Sequence, residues 1–291
     1  MKKYTEFIIE KLIFLSGIAS IVFVALILLF LLKEGFSLFL YVNPIQFIFG
    51  TNWYPISEPP QFGILPLIMG SLFVTFGAIV IAVPLGIASA VYVAEVAPSW
   101  LREILKSGIE LLAAIPSIVL GFIGIVTLAP FLKTVFNLSS GLTAMAGSVM
   151  LAFMAMPTIV SIIEDSIASV PKSYKEGSLA LGATRWQTIY RVTIPAASSG
   201  ILAAIMLGIG RIIGETMAVL MITGNAAVMP TSMLQPVRTL TATIAAEMGE
   251  AVSGSPHYYS LFAIGIVLFI MSFTINLIAD RFLHAKGKKK K

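Results

Sequence analysis

An arginine and a glutamate stand four residues apart in Gly-Arg-Ile-Ile-Gly-Glu-Thr-Met-Ala, which lies inside an apolar run over 197–222 and carries Arg211 and Glu215. An arginine at the centre of a membrane helix costs about 2.5–3.5 kcal/mol on insertion scales, so it has to face a partner or a water-filled path. Its planar guanidinium offers a fork of donors that fits an oxyanion, and a carboxylate one turn later would hold the cation when no anion is present. The expected chemistry is recognition of an anion rather than a covalent step. The plain alternative is an ion pair at i and i+4 that neutralises itself and only stabilises a helix bundle. Gly210 and Gly214 flank the arginine in a G-x-x-x-G spacing, which lets another helix approach closely on the glycine side, and packing alone could explain them.

Positioning such a pair requires a membrane bundle, and the composition supplies one. Of 291 residues, 58% are hydrophobic and 11% charged, where a soluble domain carries about 25% charged. Apolar runs long enough to cross a hydrocarbon core of about 30 Å occupy 12–32, 64–94, 111–132, 142–163, 197–222 and 261–279. The expected fold is therefore an all-α integral membrane protein of about six crossings, with Pro84 marking a kink or an extension in the long second run. The first run is longer than a signal-peptide core and lacks a small-residue cleavage site, so it reads as an uncleaved span.

Orientation follows from the cations. Of 19 Lys and Arg, all but Lys33, Lys133, Arg211 and Arg238 fall in the amino terminus, the 95–110 and 164–196 loops, or the tail, which places both termini in the cytoplasm. The net charge of +5 thus flanks membrane segments and does not describe a nucleic-acid surface. Lys286 and Lys288 to Lys291 read as an anchor near anionic headgroups. The absence of cysteine excludes disulfides, thiolate metal sites and cysteine nucleophiles. The organisation expected is a first span with outer loop over 1–63, a core over 64–282 and a basic tail over 283–291. Trp53, Tyr54, Tyr258 and Tyr259 in the outer loops suit an interfacial aromatic belt or a docking surface.

The cytoplasmic segment 171–195 has more order than a linker needs. Ser173 with Glu176, and Thr184 with Gln187, each match a capping box, and Gly182 between them suits a left-handed helix end. Two short helices joined by a sharp turn are expected, with Leu179, Leu181, Trp186, Ile189 and Tyr190 presented to a protein partner. An amphipathic hairpin on the membrane surface is the alternative.

These residues resemble the EAA motif of ABC importer permeases, Glu-Ala-Ala-x3-Gly-x9-Ile-x-Leu-Pro. Glu176, Gly182 and Pro195 stand at their places, Gly177 and Ser178 replace the alanines, and Val192 and Ile194 replace the aliphatic pair. The resemblance implies a type I importer permease (MetI-like) fold. It also implies a coupling helix, within 167–195, that docks on an ATP-hydrolysing subunit through Glu176, Gly177, Ser178, Leu181, Gly182, Ala183, Thr184 and Arg185. No Walker A sequence is present, so this chain is expected to be no enzyme and to bind no cofactor, with ATP and Mg carried by the partner ATPase.

The stretch 210–218 with Thr223-Gly224-Asn225 is similar to the permeases of phosphate-specific transport. Gly50-Thr51-x-Trp53-x-Pro55 and Phe62-Gly63-Ile64-Leu65-Pro66-Leu67 look like that family's first outer loop and second span. The resemblance implies a phosphate permease of a bacterial or archaeal cytoplasmic membrane. Its implied partners are a homologous second permease (PstA-like), two ATP-binding subunits (PstB-like) and an external phosphate-binding protein (PstS-like). It carries a role in phosphate passage onto Arg211 and Glu215 alone, with Thr216, Thr223 and Asn225 as further candidates for the same path. A further expectation is that Glu215 accepts the proton that phosphate still carries at neutral pH and so disfavours sulfate. Alternatives left open are a permease for sulfate, molybdate or phosphonate, a passive anion channel, and a phosphate-sensing scaffold.

Overall fold

A computed structural model describes residues 2–287, and the lysines at 288–291 lie outside the described residues. The chain is helical almost throughout, as a bilayer demands, because a helix satisfies its own backbone polar groups. α1 (Lys2–Ser37) is apolar on every face between Leu12 and Leu32 and packs on the chain's last helix, where Phe30 meets Phe262. A short outer helix, α2 (Pro44–Phe49), capped by the Asn43 side chain, leads into a two-stranded hairpin of β1 (Trp53–Tyr54) and β2 (Gln61–Phe62). α3 (Leu65–Val96) then crosses in one piece, continuing through Pro84 and ending in a π turn over Tyr92–Val96.

The third crossing starts later than expected. Residues 111–114 belong to α4 (Ser99–Ala114), a separate amphipathic helix, and the crossing itself is α5 (Ser117–Val135). Pro116 makes the break: it disfavours helix at Ile115, which is extended at ψ 127°. α6 (Ala144–Ala168), started by the Thr143 side chain, is the central helix. The segment 171–195 forms α7 (Lys172–Ala180) and α8 (Arg185–Ala196), and α8 meets α9 (Ser198–Gly214) at a 69° bend. α10 (Met217–Ile222), α11 (Leu240–Glu247) and α12 (Pro256–Gly287) complete the chain. Among the described residues five helices are long and apolar enough to cross a membrane, and the bent pair supplies up to a sixth crossing.

The core is built on small residues, because in lipid close backbone approach replaces hydrophobic exclusion as the force between helices. Ala78 and Ala82 of α3 face Ala152 and Ala155 of α6, all fully buried. Ile159 of α6 fills the space left by Gly86 of α3 and Gly208 of α9, where a Cβ would come within 2.7 Å and 2.5 Å of its side chain. α6 is therefore fixed against two neighbours at one residue, one position beyond Thr158. A second core, with Leu38, Phe47, Trp53, Phe62, Leu240 and Leu261, joins the outer loops to the outer ends of the helices.

Candidate functional site

The fifth crossing does not carry Arg211 and Glu215 on one continuous helix. α9 ends at Gly214, Glu215 is extended at φ −69°, ψ 132°, and α10 begins at Met217. Breaking a helix frees backbone groups that lipid cannot satisfy, and the side chains at the break satisfy them. Glu215 Oε1 accepts from the backbone N–H groups of Thr216, Met217 and Ala218 at 3.1, 3.1 and 3.3 Å. The Thr216 hydroxyl donates to the Gly214 carbonyl at 3.2 Å, and Thr241 of α11 donates to the Glu215 carbonyl at 3.0 Å.

The expected ion pair between Arg211 and Glu215 is accordingly not formed, nor does Glu215 orient the guanidinium. Each charge meets a helix end instead. Arg211 lies in the last turn of α9, where exposed carbonyls favour a cation, and Glu215 sits at the start of α10, where free amides favour an anion. Arg211 is exposed on the chain's surface, and its side-chain partner is the Thr158 hydroxyl of α6, 3.3 Å from Nη1. Among the described residues no carboxylate pairs with it. Leu207 and Met217 are exposed beside it, and a Cβ at Gly210 or Gly214 would meet nothing within 4 Å, so this face of the crossing is open in the single chain. The glycines therefore do not serve packing within this chain.

Thr216 stands with Arg211 and Glu215 at the break. Thr223 and Asn225 lie beyond α10. Thr223 is fully buried, its hydroxyl donating to the Val219 carbonyl and its methyl filling the space above Gly147. Asn225, in the left-handed region at φ 50°, accepts from Arg238 Nε with both its carbonyl and its side-chain oxygen.

That arginine belongs to a polar knot which the sequence reading did not single out. Glu247, at the end of α11, takes Arg238 on Oε1 and His257 Nε2 on Oε2 at 2.9 Å, while the Trp53 indole N–H donates to both oxygens at 3.1 and 3.2 Å. One carboxylate thus joins the hairpin, the loop before α11, α11 itself and the start of α12. Trp53, expected in an interfacial belt, is instead buried at 3% exposure because its indole has this partner. Removing a partly buried partner leaves the other charge uncompensated, at a cost of about 3 kcal/mol. Glu247→Ala should therefore lower the thermal unfolding midpoint in detergent and speed proteolysis between 223 and 258, whereas Glu250→Ala, on the exposed surface, should change neither.

In the segment 171–195 the expected pair of short helices is present. Gly182 is left-handed at φ 84°, and the amides of Gly182 and Ala183 donate to the carbonyls of Leu179 and Ser178, the double closure of a Schellman end. The Thr184–Gln187 capping box is formed in both directions. The one expected at Ser173 is not: α7 starts at Lys172 after Pro171, so Ser173 is already helical and caps nothing. The Ser178 and Thr188 hydroxyls, 3.1 Å apart, tie the two helices together. Leu181, Trp186 and Tyr190 are 91, 68 and 73% exposed, and Ile189, expected among them, turns inward. Glu176, Gly177, Thr184 and Arg185 are exposed, with Ser178 and Ala183 half-buried beside them.

Three further ties anchor this side. Lys175 pairs with Glu95, and Arg102 of α4 donates to the carbonyls of Val93 and Ala94 at 2.9 and 2.8 Å. Lys106 pairs with Glu164 at 2.6 Å and faces Asp165, and its hydrogen bond to Glu164 holds its pKa above the ordinary lysine value.

Comparison with known proteins adds the following. The family model described as "Binding-protein-dependent transport system inner membrane component" matches residues 82–289. The chain is 44% identical to "Probable ABC transporter permease protein YqgH" of Bacillus subtilis (strain 168), over 90% of this chain and 85% of the relative. It is 37% identical to "Phosphate transport system permease protein PstC" of Mesorhizobium japonicum, over 88% and 85%. Among solved structures, a chain of the bacterial alginate ABC transporter in complex with alginate pentasaccharide-bound periplasmic protein aligns with a TM-score of 0.64 at 16% identity, over 92% of this chain and 93% of that one. An inward-facing MetNI methionine ABC transporter chain aligns at 0.61 with 21% identity, over 79% and 99%. These two share the fold.

Proposed function

The chain belongs to the family of inner membrane components of binding-protein-dependent transport systems, and from that premise we propose that it is the phosphate-translocating permease of an ABC importer. The observation that carries the anion is the state of Arg211: a guanidinium on an open face of a broken crossing, held by the Thr158 hydroxyl, with no carboxylate among the described residues against it. A charge so placed in lipid alone would be unfavourable, so a second membrane subunit covers that face and a hydrated path runs along it. The G-x-x-x-G side supplies room for that subunit.

The mechanism uses this chain's own groups. The guanidinium retains free donors for phosphate oxygens, which bind a charged donor more strongly than a neutral one. Glu215 spends one oxygen on backbone amides and keeps Oε2 for the proton of a partly protonated oxyanion. The loop with Leu181, Trp186 and Tyr190 meets a separate ATP-binding subunit, two copies of which serve this permease and its homologous partner. An external phosphate-binding protein delivers the anion, and alternating access follows when ATP closes the ATPase pair. Of the five residues placed on the path, Arg211, Glu215 and Thr216 are those at the helix break, while Thr223 and Asn225 shape the segment beyond it.

The test is labelled phosphate uptake by vesicles containing the whole complex, with and without internal ATP and with sulfate, molybdate or phosphonate as competitors. Uptake should need ATP and be blocked by unlabelled phosphate alone. Flux without ATP would identify a passive channel, and block by another oxyanion would transfer the assignment to that anion.

A further inference from the structure

The cytoplasmic end of α3 is held by two elements at the same turn. Its last residues, Tyr92–Val96, form a π turn, a wider winding that leaves backbone groups without their usual partners. Arg102 of α4 satisfies the Val93 and Ala94 carbonyls through Nε and Nη2. Glu95, on the same turn, pairs with Lys175 of α7, and both side chains are largely shielded, at 12 and 25% exposure. The protruding loop is internally stiff, closed at Gly182, capped at Thr184 and cross-tied by Ser178 and Thr188. A stiff body joined to a helix end by a shielded charge pair, beside the buried Ile189 and Val91, moves that end when it moves itself. α3 in turn is packed face to face on α6 through Ala78, Ala82, Ala152 and Ala155, and α6 carries Thr158, the partner of Arg211.

We propose that the Lys175–Glu95 ion pair transmits displacement of the cytoplasmic loop to α3, and through α6 to the arginine site, with Arg102 locking the turn that receives it. Lys175 and Glu95 are positioning residues, since neither touches the anion. The proposal rests on the reading of the chain as an ATP-driven permease.

The experiment measures phosphate uptake and ATP hydrolysis in the same proteoliposomes holding the full complex. Glu95→Lys and Lys175→Glu should each leave hydrolysis running while the uptake obtained per ATP falls about tenfold, the size of one lost coupling of about 1.4 kcal/mol. The double exchange, Glu95→Lys with Lys175→Glu, should recover most of the loss because the pair is rebuilt in reverse. Wild-type coupling in both single variants, or a double variant no better than the worse single one, overturns the proposal. Should the reversals impair assembly, the chain's lack of cysteine offers a second route. In Glu95→Cys with Lys175→Cys, a flexible thiol cross-linker should restore coupling that the unlinked variant lacks, and no gain on linking overturns the proposal. Absence of ATP-driven uptake by the wild-type complex would instead remove the permease reading itself.

Discussion

Uptake by the complex carrying Arg211→Gln should fall about 100-fold or more, while the amount of complex in the membrane and its ATP hydrolysis stay near wild type. The size follows from the bonds lost. Each hydrogen bond between a charged donor and an acceptor contributes about 1.5–3 kcal/mol, and two to one oxyanion give about 3–6, where 1.4 kcal/mol is tenfold. Assembly should survive because Arg211 holds, among the described residues, the Thr158 hydroxyl at 3.3 Å and stands outside the α3–α6–α9 core. Arg211→Lys separates charge from geometry: a point charge cannot reproduce a planar fork, so it should recover only part of the uptake. Normal uptake in Arg211→Gln would remove the arginine from the path and leave its exposure on that face unexplained.

Gly182→Val should uncouple hydrolysis from transport. At φ 84° a side chain meets the following carbonyl, at about 1–2 kcal/mol for an ordinary residue and more for a β-branched one. The chain relieves that strain by leaving the left-handed region, which opens the Schellman end and changes the angle between α7 and α8. Space is not the cause, since a Cβ at Gly182 would touch nothing within 4 Å. Gly182→Asn provides the control, because asparagine tolerates the left-handed conformation. Uptake per ATP should be largely kept by Asn and lost by Val. Equal loss in both would mean that the partner ATPase fills the space above Gly182, and that the turn's conformation is not what matters.

The two expectations differ in how far they could be read from the chain. The turn at Gly182 and the Thr184–Gln187 cap are local: donor and acceptor lie within a few residues, so spacing settles them. The arginine site is not local. Its residues were legible as types out of place in an apolar run, but their mutual geometry was not. A continuous helix would have paired Arg211 with Glu215, and the helix breaks instead because Glu215, Thr216 and the distant Thr241 satisfy the groups that the break frees. Thr158 could not have been found at all, since it reaches Arg211 only once Ile159 has seated α6 against Gly86 and Gly208.

The sequence by itself determined the solvent, the number of crossings to within the one that is broken, and the stiff turn at Gly182. Each rests on composition, on the length of an apolar run or on neighbours a few residues apart. Only the tertiary structure decided that Arg211 and Glu215 serve opposite helix ends and that Trp53 is buried on Glu247. It alone paired Lys175 of α7 with Glu95 on the last turn of α3. In each of these a polar group chooses between partners far apart in the chain, and the choice is made by which helices come close enough to offer one.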